Sequence, residues 1–256
     1  MNTEFCKAGA VFVALFLLLL HGCASNIAVP VAEEFWQSRS PVVGVALTAV
    51  PRPEVRVRAM YSSGMMLPRI LFSPDEGDRD NEEQIMIESD RLQLQRILRD
   101  SDINGLSAAR DLFVRRLSIK GFSVVAIPEH IDPGQVPKYK TKAAGFARKD
   151  YRGVLPAMDL DRLIVLQVHR SGVTCHYTER INDFTTAAVT VRGEMIDLAT
   201  NRLLWSSSGK AGTIRKDIGC SCEKNADAAC IIDELNALFD DAAVWLVDDF
   251  FANAPQ

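Results

Sequence analysis

Six cysteines and four histidines carry most of the soft chemistry this chain can offer. Four of the cysteines, Cys175, Cys220, Cys222 and Cys230, fall in the last third, with His176 beside the first. Thiolates and an imidazole are ligands for soft metals. The C-x-C pair at 220–222 departs from the C-x2-4-C spacing of structural zinc sites. Disulfides, a thiolate metal site and free thiols are therefore the three readings. Cys175 and His176 also suggest a nucleophile and its base, but neighbours on a strand point to opposite faces. No G-x-S-x-G, H-E-x-x-H or G-x-G-x-x-G is present, and Ser208-Gly-Lys-Ala-Gly212 lacks both ends of a phosphate loop. His169, at the end of an apolar run, reads as a surface residue. The expectation is a protein with no catalytic residues, no cofactor and no metal. A thiol- or metal-binding protein built on the four cysteines is the alternative.

The first segment bears on where those cysteines operate. Ala8–Leu20 is apolar and uncharged. As a helix it would span about 20 Å, short of the roughly 30 Å of a bilayer core. It ends in Leu20-His21-Gly22-Cys23, which resembles the signal of bacterial lipoproteins. That resemblance implies removal of residues 1–22 as a signal peptide and acylation, by palmitate-type chains, of Cys23. It also implies a membrane partner reached through the lipid, with residues 23–40 as lipidated N-terminus and tether. Ala24, where an Asp would imply retention at the inner membrane, implies the outer membrane, with the domain facing the periplasm. Cys6 then leaves with the signal and Cys23 carries lipid. The remaining four cysteines are an even number in an oxidising compartment, the pattern of two disulfides.

Residues 41–253 read as one domain. The 256-residue chain is 48% hydrophobic and 24% charged, ordinary for a globular protein and unlike a disordered one. A net charge of -4 argues against a nucleic-acid binder, so nucleic acid is not an expected partner. Pro41–Val50, Phe122–Ile127 and Leu163–His169 read as strands, the last strongly apolar. Phe184–Leu198 alternates with period two, and Arg202–Arg215 follows a turn at Asn201. Glu83–Arg99, Leu106–Lys120 and Ile231–Phe251 read as helices. Residues 51–82 read as a long exposed loop holding one short strand near Glu54–Tyr61. The fold class is α+β: a mixed sheet with a C-terminal three-strand antiparallel meander and helices packed on it.

Met195-Ile-Asp197-Leu-Ala-Thr200-Asn-Arg-Leu-Leu204-Trp205 resembles a family of envelope lipoproteins. It includes the curli-secretion channel subunit, a lipoprotein activator of a penicillin-binding synthase, and small lipoproteins like the N-terminal domain of TolB. Asp161–Val168 and Val42–Val45 resemble two of the family's strands. The resemblance implies an envelope module that binds protein partners. It carries no catalytic residues; Asp197 and Thr200 can satisfy turn amides, and Trp205 can anchor a core. Arg56–Tyr61 is too short to supply the membrane-spanning strands of the channel subunit.

Charge is segregated. Arg110–Arg152 holds ten bases against four acids, net +6, and the last helix region, Asp227–Asp249, is -7. Such a split suits docking against an envelope protein or a second copy. A meander places the segments around Cys175 and Cys220–Cys230 at one end of the sheet. Cys175 is expected to pair with Cys220 or Cys222, leaving the other for Cys230, because a Cys220–Cys222 bridge is too short to close without strain.

Overall fold

The computed structural model describes residues 28–38, 41–59, 76–103, 105–141, 143–155, 158–178, 181–207, 212–222, 227–252 and 254–255. Its elements in chain order are α1 (Glu33–Gln37), β1 (Val42–Leu47), β2 (Glu54–Ala59), α2 (Glu76–Asp100), α3 (Ser107–Ile119) and β3 (Ser123–Ala126). There follow β4 (Arg162–Thr178), β5 (Ile181–Asp197), β6 (Leu203–Ser206), β7 (Thr213–Ile218) and α4 (Ala228–Phe251). The fold is α+β, with helices packed on a seven-stranded mixed sheet.

The two 17-residue strands β4 and β5 form the spine. They pair antiparallel along their whole length. On the free side of β4, β1 runs parallel to Arg162–Leu166 and β2 runs parallel to Gly172–Tyr177. On the free side of β5, β6 pairs with its C-terminal half and β7 with its N-terminal half. The sheet therefore has a proximal half, β3-β1-β4-β5-β6, and a distal half, β2-β4-β5-β7.

One face of the sheet carries Val43, Val45, Leu47, Ile164, Leu166, Val168, Val189, Val191 and Met195, packed under the helices. α4 buries Ile231, Leu235, Leu238, Phe239, Ala242, Leu246 and Phe250 there, the stripe read from its helical spacing. α3 adds Ala109, Phe113 and Leu117. Among the described residues, a second layer covers the opposite face only in the proximal half. Leu163, Val165 and Ile196 pack there against Ile127, Ile131, Val136, Ala147 and Tyr151 of the irregular segment that follows β3.

Several expectations need correction. The run Leu163–His169 does not end at His169; β4 continues to Thr178, so Cys175 lies on a strand and not in a loop. Gly172 makes the continuation possible. Its φ is +146°, and a Cβ there would lie 2.0 Å from the Glu54 carbonyl oxygen, so only glycine lets β2 pair at this point. The expected return strand 202–215 is two strands, β6 and β7, both paired to β5. Residues 208–211, which join them, lie outside the described residues. The expected loop 51–82 contains β2 and the start of α2, which begins before Glu83; residues 60–75 of it lie outside the described residues. Gln95 of α2 supports the start of β2: its Oε1 accepts the Val55 N–H at 2.7 Å and its Nε2 donates to the Pro53 carbonyl at 2.6 Å.

Residues 28–38, assigned from sequence to the tether, are held on the sheet. The Val29 N–H donates to the Ser206 carbonyl and the Ser206 N–H donates back, each at 2.9 Å. Phe35 is buried and stacks on Phe122 with centroids 4.7 Å apart, while its ring meets Phe250 edge-on. Trp205, 1% exposed, meets Phe250 at 5.0 Å and donates through Nε1 to Asp249 Oδ2 at 3.1 Å. Its ring lies over Gly193, where a Cβ would stand 2.1 Å from Trp205 Cη2. Gly193→Ala should therefore lower stability by about 1–3 kcal/mol through overpacking. Urea unfolding at constant m-value measures it, and an unchanged midpoint would contradict this packing.

Candidate functional site

The four cysteines meet where the distal half-sheet joins α4. Cys175 bonds to Cys222 and Cys220 bonds to Cys230, with Cα separations of 6.0 and 5.9 Å. This is one of the two pairings left open by the sequence. Cys175 sits on β4 opposite Thr185 of β5, whose Oγ1 lies 3.4 Å from Cys222 Sγ. Cys230 lies in the first turn of α4. Asp227 accepts the Ser221 N–H at 2.8 Å and so turns the C-x-C segment toward the helix. With all four sulfurs in disulfides, no thiolate remains among them to ligate a metal or attack a substrate. Among the described residues, no group of three His, Cys, Asp or Glu side chains is placed to hold a metal ion.

His176 points to the face opposite Cys175, as alternation demands, so the adjacent pair does not form a nucleophile and base. Its ring stacks on Phe184 with centroids 4.1 Å apart, and Nε2 lies 3.3 Å from Thr186 Oγ1. Thr186 Oγ1 donates to Asp217 Oδ1 at 3.0 Å. Burial, helped by the Arg58 charge, holds His176 below the ordinary histidine range. His169 occupies a register shift in β4 and is also held low by burial. The groups that surround His176 come from three other strands, Phe184 and Thr186 of β5, Asp217 of β7 and Arg58 of β2, so no local motif marks them.

Asp197, Thr200 and Trp205 lie at and beyond the β5–β6 turn. Asp197 Oδ1 accepts both the Thr200 N–H and its hydroxyl, each at 2.9 Å, and Oδ2 pairs with Arg162 at 2.8 Å. Asn201 takes φ +59°. These contacts close a turn and leave the Asp197 oxygens occupied. Cys23 lies outside the described residues. An open cleft of about 850 Å³ on the covered proximal face was not anticipated from sequence. It is lined by Glu129, His130, Asp132, Asp150 and Arg152 among others. Asp150 and Arg152 are paired at 2.6 Å, and Asp132 caps the Gly134 N–H. The lining comes from irregular backbone without hydrophobic period, so no sequence signal marked it.

No protein-family model matches this chain, and no curated protein is similar to it by sequence. Among solved structures it is similar to lipoprotein GNA1162 from Neisseria meningitidis. The identity is 11%, the TM-score 0.31, and the match covers 78% of this chain and 99% of that one. A dodecameric PelC variant from Paraburkholderia phytofirmans has 10% identity and TM-score 0.31, over 90% and 96% of the two chains. Protein XCC0632 from Xanthomonas campestris has 12% identity and TM-score 0.31, over 88% and 94%.

The two disulfides differ in accessibility. Cys175, Cys220 and Cys222 are buried, whereas Cys230 is exposed. A soluble thiol should therefore open Cys220–Cys230 first, by attack at Cys230, with Cys175–Cys222 surviving until the fold opens. Alkylation followed by peptide mass mapping reads the order. The Cys175–Cys222 bridge spans 47 residues of sequence and the other spans 10. Removing both partners of the long bridge should cost about 4 kcal/mol, and of the short one about 3, on the chain-entropy account. Equal loss from both, or early opening of the long bridge, would contradict this arrangement.

Proposed function

We propose that this chain is an outer-membrane-anchored lipoprotein whose periplasmic domain is a structural, protein-binding module of the cell envelope, without catalysis of its own. The observation that carries this reading is the pair of disulfides, which suits an oxidising compartment, taken with the apolar segment ending at Cys23. The similarity of Met195–Trp205 to envelope lipoproteins agrees with it. So does the use of the four cysteines as bridges, which leaves the thiol- or metal-binding alternative without free sulfur.

Charge supports the protein-binding part. α4 exposes Asp233, Asp240 and Asp241 on one side of the sheet, and the segment covering the other side exposes Lys138, Lys140 and Arg152. Opposite charge on opposite faces suits an envelope partner or a second copy, and such contacts weaken with salt.

The test is Cys23→Ser in cells fed labelled palmitate. The parent should incorporate label and fractionate with the outer membrane, and the variant should do neither. Label entering the variant equally well would remove the anchor. Crosslinking the parent at low and high salt should give adducts that fade with salt; a chain that stays uncrosslinked at both would remove the binding role.

A further inference from the structure

An edge strand offers unpaired N–H and C=O groups on which another strand can add. Among the described residues, two edges of this sheet are already engaged. The Gln95 side chain takes the Val55 N–H and the Pro53 carbonyl beside β2. Val29 and Ala32 take the outer side of β6 at Ser206 and Leu204. β3 is only four residues long. β7 differs: its six residues pair with β5 without a register shift, and among the described residues no strand lies on its other side.

The pairing fixes which groups of β7 face outward. The Val191 N–H donates to the Gly212 carbonyl at 2.8 Å, and the register runs unbroken from Thr190–Thr213 to Thr185–Ile218. Hydrogen-bonded positions alternate along an antiparallel pair. Ile214, Lys216 and Ile218 therefore turn their backbone groups to β5, and Thr213, Arg215 and Asp217 turn theirs to the open edge. Among the described residues, no backbone hydrogen bond takes up these outward groups. Side chains alternate as well. Ile214, Lys216 and Ile218 lie on the helix side, where Lys216 Nζ meets Glu234 Oε2 at 2.8 Å. Arg215 and Asp217 lie on the other side, both exposed. Asp217 accepts the Thr186 hydroxyl, and among the described residues Arg215 has no ion-pair partner.

A second copy of the chain fits this edge in one register. Two identical antiparallel strands related by a two-fold axis pair residues placed symmetrically about that axis. The outward backbone groups allow an axis at Arg215, Lys216 or Asp217, and axes farther along leave fewer residues paired. An axis at Arg215 sets Arg215 against itself, and one at Asp217 sets Asp217 against itself; like charges directly opposite repel. An axis at Lys216 sets Arg215 of each copy against Asp217 of the other on the open face, and Ile214 against Ile218 on the helix side. Each Arg215–Asp217 pair then also exchanges both backbone hydrogen bonds, since these residues carry the outward groups. The two Lys216 side chains meet at the axis, each already held by its own Glu234.

We propose that the chain forms a two-fold dimer by antiparallel pairing of β7 with β7 of a second copy, centred on Lys216 and selected by the Arg215–Asp217 contacts, so that the two sheets continue as one. This rests on the protein-binding reading above and names the partner, and the test keeps the two apart.

The experiment is a charge swap on the mature full-length chain, purified in detergent and followed by sedimentation, with folding checked by circular dichroism. Arg215→Asp sets Asp against Asp across the edge, and Asp217→Arg sets Arg against Arg. Each should weaken self-association by about tenfold or more, because both cross-strand pairs turn from attraction to repulsion. Mixing the two variants should restore it, since each Asp then faces an Arg, and so should the double variant. In an isotope-mixed sample of the parent, a short amine-reactive crosslinker should join Lys216 to Lys216 between copies. That link reads the register without any substitution, should either variant fail to fold. A parent that stays monomeric at its highest soluble concentration overturns the dimer. So does a mixture that associates no better than its two components, or a parent whose copies are linked through other lysines and not through Lys216. A monomeric parent that still crosslinks to another envelope protein in cells sinks this dimer alone; one that does neither sinks the protein-binding reading with it.

Discussion

Between Val168 and Arg170, β4 holds one residue more than the strand it pairs with: Val168 faces Val191, Arg170 faces Thr190, and His169 is the surplus. The consequence is a change of parity. Ile164, Leu166 and Val168 face the helices before the bulge, and Val173, Cys175 and Tyr177 face them after it, while β5 keeps Ala187, Val189, Val191 and Met195 in unbroken alternation. Without the extra residue, every side chain of distal β4 would turn over. Cys175 would then look away from α4 and could not reach Cys222. The bulge also marks where β1 leaves the edge of β4 and β2 takes its place. Placement of the sulfurs, of the second parallel strand and of the distal core all depend on it.

This explains what could be read in advance. Elements with a clean period were legible: α4 from its apolar stripe, α3 from Ala109, Phe113 and Leu117, and β5 from its alternation. The strand predicted over Leu163–His169 ends nine residues before β4 does, because the alternation breaks at the bulge and the polar Arg170 and Ser171 follow. A strand that changes parity has no single period, so its second half read as loop. The helix predicted over Glu83–Arg99 is shorter than α2 because residues 76–82 are mostly polar and acidic and carry no apolar period. The joining of Cys175 to the C-x-C segment was legible from chain reversal alone, since it needs only that the β4–β5 hairpin and the β7–α4 connection end together. The choice of Cys222 over Cys220 was not, because it depends on which way the 220–222 backbone turns under Asp227.

The opposite faces of the sheet are stabilised in different ways. In the proximal half, helices cover one side and the segment after β3 covers the other, so Leu163, Val165 and Ile196 are as buried as Ile164 and Leu166. In the distal half, among the described residues, a second layer covers only the helix side. The other side carries Arg56, Arg58, Arg170, Arg215 and Asp217 in solvent. His176 and Thr186 are buried on that side by their neighbours, but the apolar core of this half lies under the helices, to which each strand contributes alternate residues.

Cross-links belong where burial is thinnest. Stabilisation from apolar area scales with what is removed from water, and a half-sheet covered on one face removes less of it per residue than one covered on both. Both disulfides lie in this half. One joins the middle of distal β4 to the segment leading into α4, and the other joins that segment to the first turn of the helix. The bridges restrict the unfolded chain rather than adding contacts to the folded one, so they strengthen the distal half without filling its open face. That face, free of core duties, can stay polar. The sulfur chemistry that first suggested a reactive site is thus explained by the architecture: a sheet dressed on one side only at its far end, held there by two covalent ties.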